Sequence, residues 1–416
     1  QKSLFKVAVS DSSEALEAAK KLIDFKYIYK LALQGKHYLA TDFAVAKIGQ
    51  LKHLAKIALN AKSGSASVAA VKKISNKNIL STVALNSKHL DARAAAVEKI
   101  TDSKVLTKVA LQEGNNEALE KVINRITSKK DLAKIALKGS DSYARKQAVW
   151  KIHNPKVLEQ IALTDKNKYV ASLAARRISD ETLLINIALN AVNAEAREEA
   201  IKKVTDTSTL HEAVLNDKNR NVRYEAVDKV TNSGVLNKVV LKDVDSGVRK
   251  RALWNVTDSD VLYKVALSDK NDDISEFALN KVTDERRLAK IALQAKNLMA
   301  RKLAVKKLYN QAFLLPVALK NHTELGIISL AATKKLTNPQ DIIKVALKGK
   351  NPYAREEALD RVSDQKVLAK VALKDKNTAV VKLALLKIKD QSVFYKVALK
   401  NKHRSERLAA VSQMTN

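Results

Sequence analysis

A chain of 416 residues with no cysteine can form no disulfide framework, no thiolate metal site and no cysteine nucleophile. Seventy-six basic residues against forty-four acidic ones leave a formal charge of +32, which bears on solubility and partners rather than on fold. No run of about 18 consecutive apolar residues reads as a membrane span, and the compartment stays open because cytosolic and exported proteins alike can lack cysteine.

From its N-terminus the chain opens inside a helical pattern, SLFKVAV, and then repeats one theme. The clearest copy is VRYEAVDKVTNSGVLNKVVLK, from Val222 to Lys242; sister copies open 26 residues earlier at Ala196 and 26 later at Val248. A fixed period of this length marks a stacked repeat protein. In the VRYEAVDKV part, Val222, Ala226, Val227 and Val230 gather on one helical face. Asn232 follows, and sister copies place Asn76, Asp102, Asp180, Asp206, Asp258, Asp284, Asn338 or Asp364 there. Short polar acceptors of this kind cap the N-terminus of the next helix. That next helix turns Val235, Leu236, Val239 and Val240 inward, and a polar turn leads back to the following copy. Each helix is only about ten residues long and cannot bury its apolar face alone, so copies must stack to share a core. The GVLNKVVLK type is called here the first helix of a repeat, and the VRYEAVDKV type the second.

The basic residue before the last apolar position of the second helix serves as a ruler. It falls at Lys21, Lys47, Lys73, Lys99, Arg125, Lys151, Arg177, Lys203, Lys229, Lys281, Lys307, Lys335, Arg361 and Lys387, with Asn255 and Gln413 in the two remaining places. Every step is 26 residues except Lys307 to Lys335, which is 28. This predicts an all-α chain of about sixteen 26-residue two-helix repeats, one continuous solenoid over 1–416, with an irregular repeat near 310–336. There the stretch Lys320 to Gly326 carries the two extra residues, and Pro316 stands where sister helices have Lys290 or Lys344. Proline inside a helix removes a hydrogen bond and clashes with the preceding turn, so a kink or late helix start is expected. The first repeat has a shortened turn around Ser10 to Glu14. Both ends are cut in mid-phase, as though the chain were part of a longer protein or made head-to-tail contacts with its own copies.

The pattern V-R-x-x-A-V-x-K-[IV]-[TS]-[DN], followed by V-L-x-K-V-A-L-x-D, resembles the short HEAT-like repeats of bacteria and has some likeness to leucine-rich variant repeats. The resemblance covers nearly the whole chain and implies a right-handed alpha-solenoid. It also implies that Arg93, Arg145, Arg197, Arg223, Arg249, Arg301, Arg355 and Arg407 join an inter-repeat ladder with turn aspartates. That ladder is broken at Ser67, Leu119, Ala171, Ser275, Ser329 and Val381. Function does not follow from such an architecture.

On a helical wheel the ruler residues sit beside the core, where a long side chain can lay its stem on the neighbouring repeat and lift its charge to solvent. A second column, from Lys30 and Lys56 through Lys108, Lys134, Lys238, Lys264, Lys290, Lys344 and Lys370 to Lys396, points outward from the first helices. Trp150 and Trp254 share a column that otherwise holds charged residues such as Lys72, Glu98, Lys202, Asp228 and Lys306, so both indoles are expected to be exposed. Tyr143, Tyr169 and Tyr353 share a place at the start of the second helix. Regular charges suit a regular phosphate chain, and exposed tryptophans suit a partner contact or a stacked base. The residues therefore suggest a non-catalytic scaffold whose lysine-rich surface binds an extended acidic partner, with nucleic acid backbone as the leading candidate. The alternative is an assembly protein that makes protein–protein contacts, with its own copies among the possible partners. Lysine is also simply a good soluble helix former. The seven histidines lack metal-ligand spacing, the single His211–Glu212 pair stands alone, and no phosphate-binding loop or nucleophile elbow occurs. No cofactor, metal or catalytic residue is expected.

Overall fold

The computed structural model describes residues 1–112, 116–320 and 326–414. The described residues form thirty-two helices and no strand. Within each of the two compact units described below, successive helices pack as pairs, the first helix of a repeat against the second, and second helices also pack on the second helix of the next repeat. This is the all-α solenoid architecture. First helices such as Lys77–Asn86, Glu181–Asn190, Glu285–Gln294 and Gln365–Lys374 recur at the spacing that the sequence predicts.

The starts of the first helices are fixed by side chains. Asn76, Asp102, Asp180, Asn232, Asp258, Asp284, Asn338 and Asp364 each accept a backbone N–H from the first turn of the helix they precede. Asp206 does the same for Thr209 N at 2.7 Å, and also accepts the hydroxyls of Ser208 and Thr209. Those hydroxyls hold its carboxyl down to about 2.

The chain divides into two compact units, residues 1–213 and 214–416. In the first unit the second helices meet through a column of small residues, Ala18, Ala44, Ala70, Ala96, Ala148, Ala174 and Ala200, nearly all sealed from solvent. Val122 is the one larger member. The second unit has a column of the same kind, Ala226, Ala252, Ala278, Ala304, Ala332, Ala358, Ala384 and Ala410, all buried. Alanine brings the helix backbones close, while the next column (Val45, Val71, Ile123, Leu253, Leu279, Leu359) fills the space toward the first helices.

Of the eight arginines that the resemblance names, Arg145, Arg223, Arg249 and Arg355 make the implied fork with a turn aspartate, while Arg93 donates to the turn carbonyl of Ser87 and Arg407 to those of Asn401 and Lys402. Arg145 donates from Nε and Nη2 to both oxygens of Asp165, twenty residues on, at 2.7 and 3.0 Å. Arg223 with Asp243, Arg249 with Asp269 and Arg355 with Asp375 repeat this fork. The second guanidinium nitrogen, Nη1, donates to two turn carbonyls of the arginine's own repeat, Asp217 and Lys218 in the case of Arg223. Each aspartate in turn accepts a backbone N–H from its own turn, as Asp243 does from Asp245. One guanidinium thus ties two successive turns together. Where the arginine is missing, Ser275 reaches the same turn carbonyl, that of Asp269, at 3.2 Å.

A further inter-repeat clasp starts at the first residue of some first helices. Glu181 accepts the backbone N–H groups of Thr205 and Asp206, and Glu285 those of Tyr309 and Asn310. Gln1, Gln311 and Gln365 act likewise on the corresponding linkers.

Of the two expectations at Pro316 in the irregular repeat, a kink or a late helix start, the second is not met. Its helix, Gln311–Leu319, starts in register behind the Asn310 cap and runs through the proline, so there is no late start. Pro316 lies far enough from the helix start to cost one backbone bond, and its ring is exposed. Residues 321–325 of the stretch that carries the two extra residues, His322 among them, lie outside the described residues, as do Thr415 and Asn416. The insertion ends at Gly326, whose φ of 69° opens the next helix. A Cβ there would fall 2.1 Å from the Asn351 side chain, so only glycine fits.

The Arg223–Asp243 pair has side chains only 8% and 5% exposed. Removing one partner strands the other charge in a poorly solvated place. Arg223→Ala should therefore cost about 3–5 kcal/mol in urea denaturation, whereas Lys121→Ala, which breaks the exposed Lys121–Glu98 pair, should cost about 0–1 kcal/mol.

Acid should act on the Asp206 cap in a defined window. Its folded pKa of about 2 lies below the ordinary carboxylate value, so its contribution is complete above that ordinary value and is lost as pH falls toward 2. The stability gap between the wild type and Asp206→Asn should be constant from pH 7 to 5 and close between about pH 4 and 2. A gap that persisted unchanged at pH 2 would count against the assignment.

Candidate functional site

The basic ruler column was expected to carry its charges into solvent. The structure gives most of these charges backbone partners, while Lys21, Lys47, Lys73, Lys99, Arg125, Lys203 and Arg361 are also exposed. Lys307 lies at the end of its second helix, and its Nζ donates to the carbonyls of Leu279, Asn280 and Val282 at 2.9, 2.9 and 2.8 Å. These are carbonyls at the C-terminal end of the preceding second helix, Asp272–Lys281, and of its C-cap Val282, where the regular intrahelical bonding runs out. Lys73, Lys99, Lys151 and Lys281 make the same three contacts one repeat back. Lys203, Lys335 and Lys387 each reach two such carbonyls. Where the ruler is arginine the fork replaces the ammonium: Arg125 reaches Val97, Glu98 and Ile100, Arg361 reaches Thr333 and Leu336, and Arg177 reaches Ile152. Lys47 approaches the Leu22 carbonyl at 3.5 Å. Lys229 is half-buried at the matching place, and Lys21 is exposed as the C-cap of the short second helix Ala15–Lys20.

The column is therefore a chain of C-terminal caps supplied in trans by the next repeat. A cation at a helix C-terminus is also favoured by the helix dipole. Burial draws the ammonium groups of Lys281, Lys307 and Lys335 below their ordinary pKa. The sequence reading placed the stems correctly against the neighbouring repeat. It missed the head-group partners because a helical wheel shows side chains and not the unpaired carbonyls of the adjoining helix end.

Trp150 and Trp254 are 52% and 60% exposed. The Arg177 guanidinium stands over the Trp150 ring at 5.6 Å. Around Trp254 a richer patch forms from three consecutive second helices. The Trp254 ring lies 4.8 Å from Phe277, Lys281 stands over Phe277 at 5.3 Å, and Arg251 stands over Tyr224 at 5.7 Å while pairing with Asp228. Hydrogen bonding to Asp228 raises the Arg251 pKa. Sequence reasoning singled out Trp254 but not Tyr224, Arg251 and Phe277 as one group. The available signal was their occurrence in three successive repeats on neighbouring exposed columns.

Acidic residues interleave across the exposed surface of the second helices, as in Arg176–Glu199 and Lys250–Asp273. Tyr143 is drawn into the same pattern, donating to Glu120 at 2.8 Å, whereas Tyr169 and Tyr353 are exposed. The first-helix lysine column is different. Lys30, Lys56, Lys108, Lys134, Lys238, Lys264, Lys290, Lys370 and Lys396 are exposed and form no ion pair among the described residues, while Lys344 pairs with Asp341. No group of three or more His, Asp or Glu side chains suited to a metal occurs among the described residues, and no described helix is long and apolar enough to cross a membrane.

No protein-family model matches this chain, and no curated protein matches it. Among known structures it is similar to a homology model of the full-length AP-3 complex in an intermediate open conformation. That match has 12% identity, covers 99% of this chain and 89% of the other, and has a TM-score of 0.23. It is also similar to a chain from a study of tubulin recruitment and assembly by microtubule polymerases with tumor overexpressed gene (TOG) domain arrays. There the identity is 12%, the coverage 96% and 92%, and the TM-score 0.21. With scores this low, neither match bears on the site.

If the ruler caps helices, its chemistry is replaceable but its hydrogen bonds are not. Lys307→Met should cost about 1.5–3 kcal/mol, the range for bonds to a charged donor. Lys307→Arg should stay close to wild type, because arginine already fills this role at Arg125 and Arg361. Urea denaturation followed by circular dichroism reads both, and equal stability of the Met variant and wild type would refute the capping role.

Proposed function

We propose that this protein is a non-catalytic HEAT-like scaffold that holds protein partners on the exposed surface of its second helices. The observation that carries this reading is the patch of Tyr224, Arg251, Trp254 and Phe277. Tryptophan, tyrosine and arginine are the residue types that dominate binding energy at protein interfaces. Here they stand on adjacent helices of a rigid stack, held by ring contacts and by the Arg251–Asp228 pair. The ruler lysines support this surface from beneath, since Lys281 caps the helix end that carries Trp254. Sites built on packed helices hold their geometry better than sites on loops.

The second reading, binding of an extended polyanion with nucleic acid backbone as the leading case, draws its support from the unpaired first-helix lysines rather than from the ruler. Such binding would be independent of sequence and would weaken steeply with salt.

The two readings separate experimentally. Trp254→Ala combined with Arg251→Ala should leave the helical circular dichroism spectrum unchanged, because exposed substitutions usually cost within about 0.5 kcal/mol. On the scaffold reading, a protein recovered with the wild type from nuclease-treated extract, then purified, should bind the variant at least tenfold more weakly. Undiminished binding by the variant would overturn it. Saturable binding of duplex or single-stranded nucleic acid that falls by orders of magnitude from 50 to 200 mM salt would favour the second reading.

A further inference from the structure

We infer that the cleft between the turns following helices Pro339–Lys348 and Gln365–Lys374 is a binding site for a compact ligand carrying several phosphate groups. The cleft lies within the second unit and has a volume of about 590 Å³. That is within the range of small-molecule sites, about 300–1,000 Å³. Its floor is apolar, formed by Ala346, Leu347 and Val371, and its walls carry Lys348, Lys350, Lys370, Lys374 and Lys376.

The charge balance points to the ligand class. The one carboxylate lining the cleft, Asp375, is held by the Arg355 fork at 2.7 and 2.8 Å, so these two charges cancel. Arg355 also occupies the carbonyls of Gly349 and Lys350, which would otherwise repel an anion. None of the five ammonium groups has an ion-pair partner among the described residues. Five like charges lining one cleft repel one another, relieved only by salt screening, whose length is about 8 Å at physiological salt. A single carboxylate could neutralise one of them. A cluster of phosphates could meet all five, and lysine binds phosphate as a mobile point charge.

The repetition of the fold supplies internal controls. The same turn cleft recurs around Lys138 and Lys166, beside the Arg145–Asp165 fork, and around Lys242 and Lys270, beside Arg249–Asp269. Those clefts have volumes of about 240 and 470 Å³ and only two lysines each. The geometry is shared, so the excess of lysine is particular to the site at Lys348–Lys376. This inference is independent of the proposed scaffold surface, which lies on the second helices and uses none of these residues.

The test is isothermal titration of the full chain with tripolyphosphate at 150 mM NaCl, with sodium sulfate at matched ionic strength in parallel. The expected result is one saturable site per chain for tripolyphosphate and no saturable sulfate binding. Lys350→Gln/Lys374→Gln/Lys376→Gln should weaken the tripolyphosphate affinity at least tenfold, while Lys138→Gln/Lys166→Gln leaves it unchanged. Circular dichroism confirms that both variants fold. Absence of saturable tripolyphosphate binding, equal weakening in both variants, or equal affinity for sulfate would overturn the assignment. So would single-stranded nucleic acid binding with comparable loss in both variants, since that result belongs to a diffuse basic surface.

Discussion

Successive second helices can approach closely because an alanine stands at nearly every contact between them, and the other inter-repeat interactions depend on that distance. A lysine stem has a fixed reach. If a bulkier residue replaced Ala278 or Ala304, the end of one second helix would recede from the ruler residue of the next, and Lys307 would no longer span to the carbonyls of Leu279, Asn280 and Val282. The arginine forks obey the same constraint, since both their partners lie on turns whose separation the helix contact sets. Apolar packing therefore fixes the spacing, and the polar groups then latch it.

This ordering explains what was legible in the sequence. Periodicity reports burial, so the helices, their phase, their caps and the exposure of both tryptophans could all be read from residue type and spacing. The Asn/Asp caps were legible because the cap lies within three residues of its partner. The ruler was visible as a column but its role was not, because its acceptors are backbone carbonyls twenty-five to thirty residues away and carbonyls leave no trace in a sequence. The patch around Trp254 was only half visible. Its members come from three repeats, and only the tryptophan breaks its column conspicuously enough to attract notice.

Assigning the ruler to helix capping also changes how the net charge of +32 is understood. A large part of the basic surplus is committed to backbone carbonyls and to turn aspartates, where it holds the stack together. The charges left over lie on the first helices and at their turns, and in part on second helices, as at Lys72 and Lys306. A surface that looks uniformly basic by composition is thus divided into a structural seam, a mixed-charge face with aromatic residues, and a row of unpaired lysines. Any acidic partner would meet these as three different environments.

The arginine forks have a further consequence for the order of the repeats. Each aspartate at Asp165, Asp243, Asp269 and Asp375 has its arginine twenty residues before it, in the preceding repeat. Where that arginine is replaced by Leu119, Ala171, Ser275 or Ser329, the matching turn position is Gly139, Ala191, Ala295 or Gly349. A repeat excised from one place and inserted at another would carry an arginine facing a glycine, or an aspartate facing a serine. The copies look interchangeable by period and core, yet each junction has its own lock and key, so shuffling single repeats would break matched charges. Only blocks cut at junctions of the same kind can be exchanged without leaving an unmatched ion at the seam.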